Sequence, residues 1–597
     1  MKISNLFLGV FIKAFLENFN FFLKELKFNV RIKLEKLGSL NGPRALEQDK
    51  KHKNRKIEKR ELNVKQAEQL YLNEKFLRVV KMVNQNVDSK SIVDRATKRP
   101  IEQVLRALEN LDEQNLSDIE YFVNEYLHEP GIEITRAKLL DWKEEPQFVE
   151  NIKNADLKLF FKSLNNQWLD LYKQFDCEFL DESCVSSHLP MKYPFVVPGG
   201  RFIEIYYWDT YWTIEGLLVC GMLQTVRQSI ENFVDFINKY GFIPNGSRVY
   251  YLNRSQPPYF SQMVQRYFDF SMQSKDLSDE AKKEIRNFVL NECLDCMIKE
   301  HTYWMNEKSV EIPIGNQRSC RLNIFKANTT KPRPESYFED LHTASDLSTN
   351  EEKEKLYLDI ATAAESGIDF SSRWFKDPMN MNTIQTSDLI PVDLNSVIYK
   401  SEVIISDLCR LKGDVERARL FKRLSLKRRF AINKVLWCSD MNCWADFNYK
   451  TKKFTEHFYV SNLSPLWFDI KPPNNLNEMD MIKQHLTNSI DSYHGIPYSY
   501  IKSSQQWDFP NIWAPNQHNL IEFIHKFDRD LSLKLAKKFF KSIYKGWESS
   551  KAFYEKYNAH TPGERGHGGE YEVQSGFGWT NGVVFKLIEI FKDDIFE

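Results

Sequence analysis

The 597-residue sequence predicts an all-α fold, a large helical domain whose long connecting loops carry the chemistry. Apolar residues recur at helical spacing over long segments, and regular strand alternation is scarce. Irregular loops of roughly ten to twenty residues, rich in Pro, Gly, Asn and aromatics, part the helical segments; loops that long in a compact domain are usually functional. A chain of this length holds either two domains or one large one. No fixed sequence period is visible, which disfavours a solenoid of recognisable repeats.

Hydrophobic residues make up 42% of the chain, enough for a sizeable core, and charged residues 27%. Aromatics are unusually plentiful at 14%, with 43 Phe, 26 Tyr and 13 Trp. Lys+Arg and Asp+Glu balance at 82 each. Net charge therefore gives no support for nucleic acid as a partner or for general membrane attraction.

In chain order, residues 1–70 read as an N-terminal extension, amphipathic or disordered, with a basic linker. Leu6 to Leu16 is apolar but broken by Lys13 and followed by Glu17 and Asn18. It is too short to span a bilayer and lacks a small-residue cleavage pattern. Gln48 to Arg60 (QDKKHKNRKIEKR) has the composition of a solvated basic stretch. The last five residues, Asp593 to Glu597, carry no apolar tail of the glycolipid-anchor kind. No transmembrane span is expected, and a cytoplasmic location is favoured over secretion.

The helical domain is expected over residues 71–597. Ile101, Val104, Leu105, Leu108 and Leu111 repeat at helical spacing, and so do Leu157, Leu159, Phe160, Leu164 and Leu169. Ile230, Phe233, Val234 and Ile237, and then Tyr357 to Ala364, continue the pattern. Val583, Val584, Leu587, Ile588 and Phe591 close it, with Asn581 where an N-cap is expected. Nine cysteines form no disulfide framework. Cys293 and Cys296 lie in a helix-like run (Lys282 to Ile298) with no second pair and no nearby His pair, so they read as structural thiols and no metal is assigned.

Six loop clusters share one set of ingredients: forked or amide donors, carboxylates and flat aromatic rings. The longest runs from Pro198 to Trp212 (PGGRFIEIYYWDTYW). Its Pro-Gly-Gly turn frees the backbone, and Arg201, Glu204 and Asp209 stand among Tyr206, Tyr207, Trp208, Tyr211 and Trp212. Charge set among rings suits a neutral ligand with hydroxyls and apolar C–H faces, which describes a sugar. A buried Arg–carboxylate pair in an aromatic core would read the same in isolation. The other clusters are Pro244 to Arg248 followed by Asn253 to Pro258, Arg333 to Tyr337, Glu365 to Trp374, Gln506 to Pro515, and Glu555 to Tyr557 with Gly568 to Tyr571 running into Gly578 to Gly582. Arg201, Arg254 and Arg333, with Asn245 and Gln256, offer donors to sugar hydroxyls. Trp208, Trp507, Trp513 and Trp579 offer walls. Six such clusters in one chain disfavour a purely structural explanation.

These residues resemble the trehalases, glycoside hydrolases that split α,α-trehalose into two glucoses. PGGRFxExYxWDxYW at 198–212 is similar to that family's first signature and QWDxPxxWAP at 506–515 to its second; Ile512 stands where a small residue is usual. The GGEY loop at 568–571 also resembles the family, with His567 interrupting a glycine run. The resemblance covers residues 75 to 597. It implies an (α/α)6 barrel, or toroid, of six inner and six outer helices, with long active-site loops closing one end over a deep pocket. It further implies hydrolysis with inversion and without metal or cofactor, with trehalose as the small-molecule partner.

Inversion needs one carboxyl to protonate the leaving oxygen and another to activate water, roughly 6.5–9.5 Å apart. By resemblance the acid is Asp369 and the base Glu555. Read from the residues, Asp369 follows Gly367 in a loop after a helix, and burial among Phe370 and Trp374 would raise its pKa as an acid requires. The same position also fits a helix cap or a pair with Arg373. Glu555 reads as a solvated position on an amphipathic helix; as a base it must stay charged and face water. Resemblance assigns sugar binding to Arg201, Trp208, Asp209, Asn245, Arg254, Ser255, Gln256, Arg333, Pro334, Glu335, Gly367 and Glu570. Asp508 fits either a structural or a pocket role. Ile368 replaces the usual Trp before the acid, which bears on pocket tightness and on the acid's pKa. The competing readings are a catalytically weakened trehalose-binding or sensing protein and an (α/α)6 α-glucosidase with another substrate.

Overall fold

The computed structural model describes residues 64–83, 88–150, 152–176, 180 and 183–596. Outer and inner helices alternate along the chain. The outer ones are α1 (Ala155–Leu171), α3 (Leu223–Tyr240), α5 (Leu294–Glu307), α8 (Val415–Val435), α10 (Glu478–Asp491) and α12 (Arg529–Ser550). The inner ones are α2 (Asp209–Val219), α4 (Phe260–Gln273), α7 (Val392–Lys412), the short α9 (Ser464–Trp467), α11 (Ala514–His525) and α13 (Gly578–Phe591). A further helix, α6 (Asn350–Glu365), stands outside this alternation. The inner helices pack in sequence, α2 on α4, α4 on α7, α7 on α9, α9 on α11 and α11 on α13, and α13 returns to α2. That closes a ring of six, as the (α/α)6 expectation requires.

Position in the ring follows from sequence. In α2 nearly every residue is buried, including Ile214, Leu217, Leu218 and Trp212, and a helix buried on all sides belongs inside. In α8 a stripe of Ala418, Phe421, Ala431, Ile432 and Val435 is buried on α7, and the other face meets solvent. The closing contact depends on glycine. A Cβ on Gly582 of α13 would lie 1.9 Å from the carbonyl oxygen of Trp212 in α2, and Gly216 faces it across the seam. Side chains kept off both positions let the two helices touch backbone to backbone.

Several expectations are adjusted. α13 begins at Gly578, not after Asn581, which is buried inside the helix; Trp579 extends the buried stripe one turn upstream. The run around Cys293 and Cys296 is helical but contains a π-turn at Val289–Cys293. The eight described cysteines are buried. Strands are short and gathered in sheets of two or three, yet one well-formed hairpin, β1 (Ser309–Gly315) with β2 (Arg318–Asn323), was not anticipated. Most of the 1–70 extension lies outside the described residues. Residues 64–71 are helical, with Ala67 and Leu70 buried, so the packed body reaches slightly upstream of residue 71. Among the described residues no helix is long and apolar enough to cross a membrane.

Candidate active site

In an alternating ring, the connections from outer to inner helices open at one end. The pocket is built there, from residues 198–209, 245–256, 333–336, 364–369, 506–513, 555 and 570–579, and encloses about 700 Å3 with its mouth included. Trp208 immediately precedes α2, and its ring centre lies 5.9 Å from Trp507 and 6.0 Å from Trp579. Trp507 in turn stacks on Trp513 at 4.0 Å. The Arg201 guanidinium lies 4.7 Å from the centre of the Tyr571 ring and 3.3 Å from Asp88. Asp209, the first residue of α2, is buried, and burial pushes its carboxyl well above the usual carboxylate range. Glu555 and Asp369 push it the same way. An upward shift favours the protonated carboxyl, the form whose O–H donates to a ligand.

The other two arginines are clamped by carboxylates. Arg254 donates from Nε to Asn245 Oδ1 at 3.0 Å and from Nη2 to Glu335 at 2.5 Å. Arg333 donates to Asp340 at 2.6 Å and to Glu570 at 2.8 Å, and the Ser336 hydroxyl donates to Glu570 at 3.2 Å. Gln256 Oε1 accepts from the Trp208 backbone N–H at 3.1 Å, fixing that ring's place. The planar fork of Arg makes such paired contacts while leaving N–H groups for a ligand.

α6 ends at Glu365, and the turn after it aims Asp369. The Ser366 hydroxyl donates to Ala363 O at 2.6 Å and accepts from the Ile368 N–H at 3.0 Å. Gly367 has φ +73°, and a Cβ there would stand 2.6 Å from the Trp208 ring. Asp369 is half-buried in the pocket wall. Burial pushes its carboxyl up to about 7; Arg333 opposes this and Glu570 reinforces it. Arg373 does not pair with it, donating instead to Asp446 and Asp393. Asp508 belongs behind the pocket. Its carboxylate accepts from the hydroxyls of Ser371 (2.8 Å), Ser499 (2.9 Å) and Ser503 (2.6 Å) and from the Ser372 N–H (2.8 Å), knotting the Asp369 loop to the 499–508 segment.

Glu555 is not on a helix surface. It sits at a bend between the end of α12 and strand β4 (Lys556–Asn558), which pairs with β3 (Asn511–Trp513). It is 2% exposed and faces the pocket instead of bulk water. Its carboxylate accepts from Tyr571 Oη–H at 2.9 Å and from the Gln574 N–H at 3.4 Å. Burial raises its pKa, while the Lys556 ammonium and these two bonds pull it back. Lys556 is itself buried, which lowers its pKa to about 8. It donates to Gln506 Oε1 at 2.9 Å and to Gly568 O at 3.0 Å, and Gln506 Nε2 donates to the backbone oxygen of Asp369. One buried ammonium thus ties together the Asp369 loop, the 506–513 loop and the glycine-rich loop.

Asp369, Glu555 and ten of the twelve positions expected to bind sugar line this pocket; Ser255 and Pro334 do not. Ser255 turns inward, its hydroxyl donating to Ile243 O at 2.7 Å and its N–H to Glu365 at 2.8 Å. Pro334 opens the 3-10 turn that carries Glu335 and Ser336 into the wall. Ile368 lines a separate cavity behind Trp208, with Trp212, Tyr259 and Tyr498. Ile512 is fully buried in β3, and His567 is held by two backbone bonds to the Asn511 side chain at 2.8 Å. Lys90, Tyr251 and Phe577 line the pocket and were not anticipated. Tyr251 and Phe577 sit inside or beside anticipated clusters. Lys90 comes from the short helix Ser89–Val93, about a hundred residues upstream of the first cluster, and pairs with Glu204 at 2.9 Å. Nothing in its local sequence marks it.

A family model described as Trehalase matches residues 84–592. The trehalase of Dictyostelium discoideum is 38% identical over 543 residues, covering 87% of this chain and 89% of that protein. The trehalase of Homo sapiens is 35% identical over 538 residues, covering 88% of this chain and 90% of that protein. The solved structure of the neutral trehalase Nth1 of Saccharomyces cerevisiae aligns with TM-score 0.55 and 24% identity over 68% of this chain and 74% of that one, a likeness of fold.

Proposed function

The chain belongs to the trehalase family, and on that premise we propose that it hydrolyses α,α-trehalose to two glucoses with inversion, Asp369 acting as general acid and Glu555 as general base. One observation carries the reading: a carboxyl raised to about 7 and a second, hydrogen-bonded carboxylate line a single pocket with three clamped arginines and four tryptophans. Asp369 is protonated near neutral pH and gives its proton to the glycosidic oxygen as that bond breaks. Glu555 takes a proton from a water attacking the anomeric carbon on the opposite face. The attacked sugar leaves as β-glucose and its partner as α-glucose. After product release Asp369 regains a proton from solvent and Glu555 loses one, restoring the starting state.

The arginine clamps and Asp209 supply donors to the sugar hydroxyls, and the tryptophans cover the C–H faces and exclude water, which strengthens every polar contact inside. Ile368 and Ile512 touch neither role, so nothing in the geometry favours a silent sensor over an enzyme. The test is glucose release by purified protein from trehalose, maltose and starch. Trehalose alone should be split, and Asp369→Asn and Glu555→Gln should each lower kcat by about 10²–10⁴-fold with an unchanged circular dichroism spectrum. Near-normal turnover in either variant removes that residue from the pair.

A further inference from the structure

The balanced charge of the whole chain conceals a local concentration. α8 reads VERARLFKRLSLKRRFAINKV, with a single acidic residue, Glu416. Its inner stripe anchors it to α7, and Arg428 on that side is buried against Glu402 at 2.9 Å. The outward face carries Arg419, Lys422, Arg423, Lys427, Arg429 and Lys434, all exposed, and none of these six is within an ion pair or side-chain hydrogen bond among the described residues. Arg417 alone is engaged, with Asp295 and Asp414.

Apolar side chains are set into the same face. Leu426 and Phe430 are 43% and 56% exposed, and Leu420 stands exposed beside them. At 100° per residue, Arg419, Arg423, Leu426, Phe430 and Lys434 form one ridge along the helix. Leu411 and Val415, at the turn leading in, are exposed as well. An ordinary solvated helix face mixes both signs of charge and pairs them three or four residues apart. This face does neither.

We propose that the outward face of α8 docks the protein on an anionic lipid bilayer. The unpaired cations meet acidic headgroups, and Phe430, Leu426 and Leu420 enter the headgroup–acyl boundary between them, the pattern of an interfacial amphipathic helix. A nucleic acid would satisfy the cations and stack a base on Phe430, but would leave the aliphatic Leu420 and Leu426 without a partner. Because α8 is held rigidly on its inner side, docking costs little ordering of the helix. The surface is separate from the pocket residues, so it places the enzyme without entering the reaction.

The test is co-sedimentation of the full chain with vesicles of mixed phosphatidylserine and phosphatidylcholine against phosphatidylcholine alone. The full chain should bind the anionic vesicles, more weakly as salt rises, and ignore the neutral ones. Each cation near such a surface changes binding about fivefold, so R419Q/R423Q/K427Q should lose roughly a hundredfold. Phe430→Ser should also weaken vesicle binding, while both variants keep normal glycoside hydrolysis in solution, which confirms that they are folded. Equal vesicle binding by the triple variant and the parent overturns the proposal, including the case in which residues outside the described structure do the binding. Loss of binding to transfer RNA in parallel, with no binding to vesicles, overturns it in favour of a nucleic-acid surface.

Discussion

Asp369 and Glu555 are both pushed upward by burial, but the proposed acid and base roles require them in opposite states. Asp369 must keep its proton, so activity falls as pH rises through its value of about 7. Glu555 must have lost its proton, so activity falls as pH drops through its own raised value. The pH profile of kcat/KM should therefore be bell-shaped with its alkaline limb near neutrality; a limb beyond pH 9 would show that Asp369 is not the group being read. Lys556 sharpens this. Its charge holds the base's pKa down, and its two bonds tie the surrounding loops. Lys556→Met should lower kcat and move the acidic limb to higher pH, because Glu555 then binds its proton more tightly. An unchanged acidic limb would reduce Lys556 to a structural tie. Arg, Asp and Trp in the signature stretches were legible in sequence because several donors and rings crowd a few positions. Lys556 and Lys90 were not, since a lysine's role here depends on what other loops bring to it.

Among the elements, the helices were readable from their apolar spacing, while ends and short strands were less so. Asn581 reads as a cap from its type, yet Trp579 and Gly582 are buried on either side of it and the helix runs through. Glu555 follows a long amphipathic helix and looks like its continuation, but α12 stops at Ser550, and pairing of β4 with β3 turns the residue inward. That pairing joins residues 45 positions apart, which local pattern does not report. The seam between α2 and α13 leaves no room for added bulk. Gly582→Ala places a methyl against the Trp212 carbonyl, forces the two helices apart and should cost about 1–3 kcal/mol, read as a lower urea midpoint. A midpoint equal to the parent's would mean that the seam relaxes freely.

At the scale of the molecule, alternation of outer and inner helices sends the outer-to-inner connections to one end, which explains why residues as far apart as Arg201 and Glu570 share a pocket. The sequence announced helices and rich loops; the ring itself came from family resemblance, because closure rests on contacts between α13 and α2 that no local pattern encodes. Burial in the pocket raises the Asp369 carboxyl to about 7, as the proposed acid role requires. Inversion by Asp369 and Glu555 is the central proposal. Proton NMR of the first minutes of trehalose cleavage by the purified chain reads it directly. Equal amounts of α- and β-glucose, absent with Asp369→Asn, are the predicted result; two α-glucoses, or trehalose left intact by the parent chain, would contradict it.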